Sequence, residues 1–282
     1  MPVVAELVLY PIKSCAGIAV AEATLTRAGL AVGAVYDREW MVVDPQGRFI
    51  SQREVPRMAL VVPRLQAQTL TLSAPGMAPL NVPLDLPGDD APTLSVHVWD
   101  DQVLAYDCDA ATAAWFSEAL ARPCRLVRFH AAASRPVSTK WTGGVEAPTL
   151  FSDGYPVLVV GSASLADLNT RLLAAGRAAL PMNRFRPNLV IDGIDAFEED
   201  YSAAFRLGAA ELTPVKPCPR CPMPSVDQAS GVVGPDPLDI LQAYRRKSAL
   251  DDAVCFGMNA IVTKGEGERL YVGQPVDAEI NF

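Results

Sequence analysis

The sequence predicts a mainly β protein with a few helices, an α+β chain divided into two domains. Three observations carry this. Prolines number 24 and glycines 19 in 282 residues, against an average near 5 % for proline, and together they cut the chain into short segments. Most apolar runs alternate with period two and are rich in β-branched residues. The regular strand-helix alternation of a doubly wound fold is missing.

Taken in order, Glu6–Pro11 alternates around Leu7 and Leu9. Trp40–Val43 leads through Asp44-Pro-Gln-Gly47 to Arg48–Ile50, and proline second and glycine fourth suit a type I turn, hence a hairpin. Thr69–Ser73, Thr93–Trp99 with Val103–Tyr106 across Asp100-Asp101, and Arg125–Phe129 complete the strands of the first half. Val157–Val160, Leu189–Asp192, Glu211–Val215, Asn259–Thr263 and Leu270–Val272 follow in the second. Helices are expected over Ala110–Leu120 after Asp109, over a Leu165, Leu168, Leu172 stripe opened by Ser164-x-x-Asp167, and from Pro237 with Asp236 as cap. His130 to Thr149 has no apolar period and reads as a long loop, with the domain crossing near it.

A fifth of the residues are charged and the net charge is −8. No global positive field gathers nucleic acid or anionic lipid, so neither a nucleic-acid partner nor a membrane is expected. An anionic ligand must therefore be held by a few local cations. The N-terminus lacks a basic region followed by an apolar core, and no apolar run approaches the ~20 residues of a membrane helix. A cytoplasmic location is the expectation. Six cysteines at 15, 108, 124, 218, 221 and 255 are too sparse for a disulfide framework.

The densest chemical constellation runs from Lys216 to Asp227, KPCPRCPMPSVD. Its prolines stiffen a loop that presents Cys218 and Cys221, and Lys216 and Arg220 create the cationic surroundings that favour a metal-binding thiolate. On the loop alone several readings stay open. Zinc wants about four ligands, and only one Cys-x-x-Cys is present, with His97 and His130 far off in sequence. An iron–sulfur cluster wants four spaced cysteines. A redox disulfide should open a helix, which Pro222 and Pro224 oppose. A rigid loop with two buried thiols needs no ligand at all.

Cys218-Pro-Arg-Cys221, followed by Val226-Asp227, Gly231, Pro237-Leu238 and Leu241 to Arg245, resembles the MOSC family, named after the C-terminal domain of molybdenum cofactor sulfurase. Tyr10-Pro-Ile-Lys-Ser-Cys-Ala-Gly17, Asp37-Arg-Glu-Trp40 and Ser51-Gln-Arg-Glu54 are similar to the family's N-terminal β-barrel domain. Asp153-Gly-Tyr-Pro156, Ser164 to Asn169, Arg184-Phe-Arg-Pro-Asn188, Phe256-Gly257 and Val272-Gly273 continue the likeness in the same order.

The resemblance implies a MOSC N-terminal β-barrel domain over residues 1–125 packed on a MOSC β-barrel domain over 126–282. It further implies kinship with the mitochondrial amidoxime reducing component and its bacterial relatives. These hold a molybdopterin-type molybdenum cofactor through one cysteine and reduce N-hydroxylated compounds. Carried over, the ligand on molybdenum is Cys221, and phosphate and pterin contacts fall on Lys13, Ser14, Arg38, Arg186 and Asn188. Asp227 would orient the cysteine loop or help deliver protons, or else cap a turn, as Asp commonly does in loops. Gly154 stands where some relatives carry a hydroxyl residue, so a side-chain contact is expected to be missing there, with backbone contact as its replacement.

The implied activity is reduction of hydroxylaminopurines, amidoximes or hydroxylamines. No iron–sulfur cluster or flavin is expected in this chain, so electrons would come from a separate ferredoxin- or flavin-type donor protein. The alternative is a cofactor-binding or persulfide sulfur-carrier module serving another enzyme. Cys15, Cys108, Cys124 and Cys255 are expected to be ordinary buried thiols.

Overall fold

A computed structural model describes residues 1–88 and 90–281. Among them are 20 strands, three α-helices and several single 3-10 turns, so the chain is mainly β as expected. The largest sheet has nine strands, ordered Ile18–Val20, Val3–Leu9, Leu189–Asp192, Val157–Gly161, Ala253–Lys264, Ala210–Pro219, Ser202–Leu207 and Asp277–Ile280, with Arg246–Lys247 added beside Ala253–Lys264. The first strand of the chain thus belongs to the sheet of the second half, where Leu7 faces Leu189 in an antiparallel pair. A four-stranded sheet, Thr93–Val98, Asp101–Asp107, Arg125–Phe129 and Trp40–Val43, carries the first half. Arg269–Tyr271 returns from the far end of the chain to pair with Glu22–Thr26. One apolar core runs from Val4 through Trp40, Phe116 and Phe205 to Val276, so the two halves share an interior.

Turn chemistry explains the joints. Gly47 N–H donates to the Asp44 carbonyl at 3.0 Å, the bond of the expected turn, and Asp44 Oδ1 accepts from the Gln46 and Arg48 backbone. The return arm is short: Asp44 N–H donates to the Arg48 carbonyl and Ile50 N–H to the Val42 carbonyl, both at 2.9 Å, around a single Val43–Phe49 bridge, while Trp40–Val43 pairs with Arg125–Phe129 in the sheet. In the next hairpin Val98 pairs with Asp101, which places the turn on Trp99-Asp100, one residue before the expected position.

Ala110–Leu120 is a helix, capped by the Asp109 carboxylate on Thr112 N–H at 2.7 Å and ended by a left-handed Ala121 ahead of Pro123. The second helix starts at Ser162, before the expected Ser164, because the Ser164 hydroxyl donates to the buried Glu199 carboxylate at 2.8 Å and is not available as a cap. Asp236 does bond Leu238 N–H at 3.0 Å, but the helix it opens is only Leu238–Leu241. No helix among the described residues is long and apolar enough to cross a membrane.

The long strands that reach the cysteines differ from expectation. Glu211–Val215 grows to Ala210–Pro219, and Asn259–Thr263 to Ala253–Lys264. The former pairs with Ser202–Leu207 only as far as Leu212, so Pro214, Pro217 and Pro219 lie where one edge is free and the register slips. Prolines, having no N–H to donate, are tolerated in a strand at such edges and bulges. The central strand bends at Gly257, whose φ is +78° and where an added Cβ would meet a Val160 methyl at 2.7 Å and the Val159 carbonyl at 2.9 Å. Only glycine fits there. Next to it Phe256 stacks on Phe185, centroids 4.2 Å apart, under the second helix.

Candidate functional site

A cleft of about 510 Å³ opens where the 10–14 segment, the 150–155 segment, the 185–188 turn and the end of the proline-rich strand converge. Lys13, Ser14, Arg38, Arg186, Asn188, Cys218 and Cys221 all line it. Asp227 does not.

Lys13 lies in the segment that follows the first strand, its N–H on the Trp40 carbonyl at 2.8 Å. Its buried ammonium donates to the Phe151 carbonyl at 2.8 Å and to Asp153 Oδ1 at 2.5 Å. Burial pushes the ammonium pKa down, and the Asp153 carboxylate offsets part of that. Asp153 is held in turn by Arg135, which donates to the carbonyls of Leu150, Ser152 and Asp153 and pairs with Asp101 at 2.7 Å. The loop from His130 to Thr149 is irregular as expected, and Arg135 is the anchor through which it shapes the cleft wall.

Arg38 pairs with the fully buried Asp37 carboxylate and donates to Asn188 Oδ1 at 3.0 Å and the Arg186 carbonyl at 3.3 Å. Burial raises the Asp37 carboxyl pKa, and Arg38 counters it. Asn188 is saturated: Oδ1 accepts from Leu158 N–H at 3.1 Å and from Arg38, while Nδ2 donates to the Val8 carbonyl at 3.2 Å and to Asp37 at 2.9 Å. An amide has two donors and two lone pairs. Its job in this structure is to hold Arg38 and Asp37, not to reach for a ligand.

Arg186 is the opposite case. Its side chain is buried, lies over the Tyr10 ring at 4.3 Å, as Arg38 also does, and neither Nη1 nor Nη2 has a hydrogen-bond partner among the described residues. Burial, with Arg38 adding repulsion, pushes its pKa down to about 10. The Ser152 and Tyr155 hydroxyls, also from the cleft lining, are buried and unpartnered too. Backbone strain gathers at the same place: Ser14, Arg38, Trp99 and Arg186 all take left-handed φ, between +51° and +65°. Non-glycine residues in that region cost on the order of 1–3 kcal/mol and cluster at functional sites.

At the other wall Cys218 is the last residue but one of the proline-rich strand and Cys221 follows it, both partly exposed and free of disulfide bonds. Arg220 Nη1 donates to Cys218 Sγ at 3.2 Å and Nη2 to the Phe185 carbonyl at 2.8 Å. Of the two thiols, the guanidinium therefore serves Cys218 and not Cys221, because the Phe185 carbonyl draws it inward. Cys221 Sγ makes no hydrogen bond among the described residues and faces the cleft lining. No group of three or more His, Cys, Asp and Glu that could hold a metal occurs among the described residues, so zinc has no ordinary ligand set here. Burial pushes the Cys15 and Cys108 thiols up to about 12 and Cys255 to about 11, poor metal ligands near neutral pH.

Asp227 lies outside the cleft, in a turn. Its Oδ1 accepts from Ala229 N–H at 3.1 Å and from the Ser230 N–H and hydroxyl at 2.8 Å, and Oδ2 pairs with Arg184 at 2.7 Å. Every carboxylate contact is structural. At Gly154 an added Cβ would meet nothing within 4 Å, so the missing hydroxyl leaves open space. Sequence reasoning assigned no role to Tyr10, Asp37, Arg53, Trp99, Arg135, Ser152, Asp153 or Tyr155. Some lie in the quoted motifs, but nothing in their spacing marks which ones meet.

A half-barrel built on a bent central strand, joined through a shared core to a smaller β unit, defines the class of protein. Residues 1–123 match the MOSC N-terminal beta barrel domain and residues 146–277 the MOSC domain. The chain belongs to the MOSC family. It is 35% identical over 295 residues to mitochondrial amidoxime reducing component 2 of Rattus norvegicus, covering 97% of this chain and 82% of that one. Mitochondrial amidoxime-reducing component 1 of Homo sapiens is 37% identical over 247 residues, covering 86% and 72%. Molybdenum cofactor sulfurase of Bos taurus is 31% identical over 259 residues, which are 87% of this chain and 29% of that one.

Proposed function

We propose that the chain is a molybdenum cofactor-dependent reductase of N-hydroxylated compounds, taking electrons from a separate ferredoxin- or flavin-type donor protein. The observation that carries the reading is Arg186, a buried guanidinium with unpartnered nitrogens, on the same cleft as two accessible thiols. The names of the relatives, amidoxime reducing components, supply the reaction class.

The residues present fit a pterin phosphate. Lys13, Arg38, Arg53, Arg186, Lys216 and Arg220 line the cleft against one carboxylate, Asp153, in a chain of net charge −8. Arg186, with the Ser152 and Tyr155 hydroxyls, offers donors that nothing among the described residues satisfies. Arg38 is fixed in place by Asp37 and Asn188, and charge-assisted bonds from such a group are the strong ones. Cys221 is the thiol that would bind molybdenum, a soft ligand left free of hydrogen bonds for that purpose. Bound there, the cofactor would supply the two-electron redox change. The overall reaction takes an N–OH group, two electrons and two protons to N–H and water. The chain's part is to hold the cofactor's anionic end and orient the substrate over the partly exposed cysteine wall.

The likeness to molybdenum cofactor sulfurase keeps a second reading, a cofactor or persulfide carrier with Cys221 as the loaded thiol. Turnover decides. Cofactor-loaded protein should reduce 6-hydroxylaminopurine with dithionite and a viologen dye and not with NADH alone. Loaded protein that turns over nothing with the dye favours the carrier, and turnover with NADH alone contradicts the separate donor.

A further inference from the structure

The cleft rim carries an exposed aromatic, Trp99, to which the proposed cofactor contacts assign no role. Trp99 occupies the first position of the two-residue hairpin turn with φ +56°, a backbone that favours glycine, and is 47% exposed. Turns of this kind ordinarily take small polar residues. Its side chain is nevertheless fixed. Nε1–H donates to Asp153 Oδ1 at 3.1 Å, the oxygen that also receives Lys13, and the Phe49 ring meets the indole edge-on at 5.0 Å. Arg53 lies over the indole with Cζ 4.7 Å from the ring centroid, its plane oriented by an Nε bond to Ser51 Oγ at 3.2 Å. Arg53 is exposed, and its terminal nitrogens have no partner among the described residues.

An arginine plane resting on a tryptophan presents a second flat face, and nucleobases stack on such planes and on aromatic rings. We propose that the Trp99–Arg53 layer is a stacking platform that selects planar, π-conjugated N-hydroxylated substrates of the nucleobase type. The Arg53 N–H groups are available to an acceptor on the substrate edge. The cationic lining disfavours a positively charged competitor. The proposal rests on the reductase reading for its substrate and on the rim geometry for its residues.

The test compares 6-hydroxylaminopurine with acetamidoxime, which is compact and has no ring to stack. Arg53→Lys keeps the charge and removes the plane. Trp99→Gly removes the indole and suits the left-handed backbone, so neither variant depends on a strained fold. Each should lower the purine-to-acetamidoxime ratio of kcat/KM about tenfold, through KM of the purine, and Trp99→Phe should restore most of it. Adenine titrated calorimetrically into the protein should bind about tenfold more weakly to the same two variants. An unchanged ratio, or equal adenine affinity in wild type and both variants, overturns the platform. If wild type reduces neither substrate, the reductase reading fails, and the adenine titration still decides the platform.

Discussion

Arg186 and Arg38 look alike in the sequence and behave as opposites in the structure. Arg186 has no acceptor for its terminal nitrogens among the described residues, whereas Arg38 neutralises a fully buried Asp37. Removing the first relieves a cost, and removing the second creates one. With its pKa lowered from 12.5 to about 10, Arg186 is charged at neutral pH in folded and unfolded chain alike. The folded state therefore bears the whole desolvation penalty there, and is relieved of it only as pH rises through about 10. Arg186→Met should raise the stability of cofactor-free protein by about 1–3 kcal/mol, the cost of an unsatisfied group. The same change should weaken cofactor retention roughly 10- to 150-fold, the worth of a charge-assisted bond. Arg38→Ala should weaken retention and also destabilise by about 3–5 kcal/mol, because it strands Asp37. Thermal melts of cofactor-free variants and cofactor content after dialysis give both signs, and a less stable Arg186→Met protein would contradict the assignment. The sequence motifs named both arginines. The left-handed backbone at Ser14, Arg38 and Arg186 left no trace there, since only glycine advertises positive φ.

Strands were readable wherever the apolar period was strong, as in Leu189–Asp192, Thr69–Ser73 and Arg125–Phe129, whose bounds match expectation. The meander Glu22–Thr26, Gly29–Val32 and Val35–Tyr36 was not, nor was Ser202–Leu207. These segments are short, rich in alanine, or carry glycine and charge, and their β state comes from pairing partners distant in sequence. The proline-rich segment misled in a different way. Proline density reads as loop, yet a free edge and two bulges accommodate it as strand. Beyond that strand the Asp227 turn closes the cysteine segment against Arg184. The Ser230 hydroxyl and N–H, with Arg184 assisting, hold the Asp227 carboxyl below the usual carboxylate range. Its contribution is therefore present above the unfolded pKa of about 3.9 and is lost as pH falls through the lower folded value. Asp227→Ala should destabilise by roughly 1–2 kcal/mol through the lost turn bonds. Asp227→Asn, which keeps an acceptor for Ser230, should lose less, and its deficit relative to wild type should shrink as acid protonates the native carboxylate. Melting curves across pH would show it. A deficit that grows on acidification would place the carboxylate in some other network.

At the scale of the whole molecule the two halves are sewn together at both ends of the chain. Val3–Leu9 enters the second half's sheet, Arg269–Tyr271 returns to the first half's, and one core fills the space between. The cleft exists because of this: Lys13, Ser14 and Arg38 come from the first half, and Arg186, Cys218 and Cys221 from the second. A motif string shows which residues belong to the family, but only the crossed topology shows that they meet. The mainly β class and the family were legible in the sequence; the meeting point was not. The central claim is that this shared cleft holds molybdenum through Cys221. Protein made in cells competent for molybdenum cofactor synthesis, with Cys221→Ser and Cys218→Ser prepared in parallel, tests it by elemental analysis and dye-linked turnover of 6-hydroxylaminopurine. Wild type should carry close to one molybdenum and Cys218→Ser most of that with its turnover, while Cys221→Ser, offered a hard hydroxyl for a soft thiolate, should fall to background. Zinc or no metal in wild type, or an active Cys221→Ser protein, would contradict it.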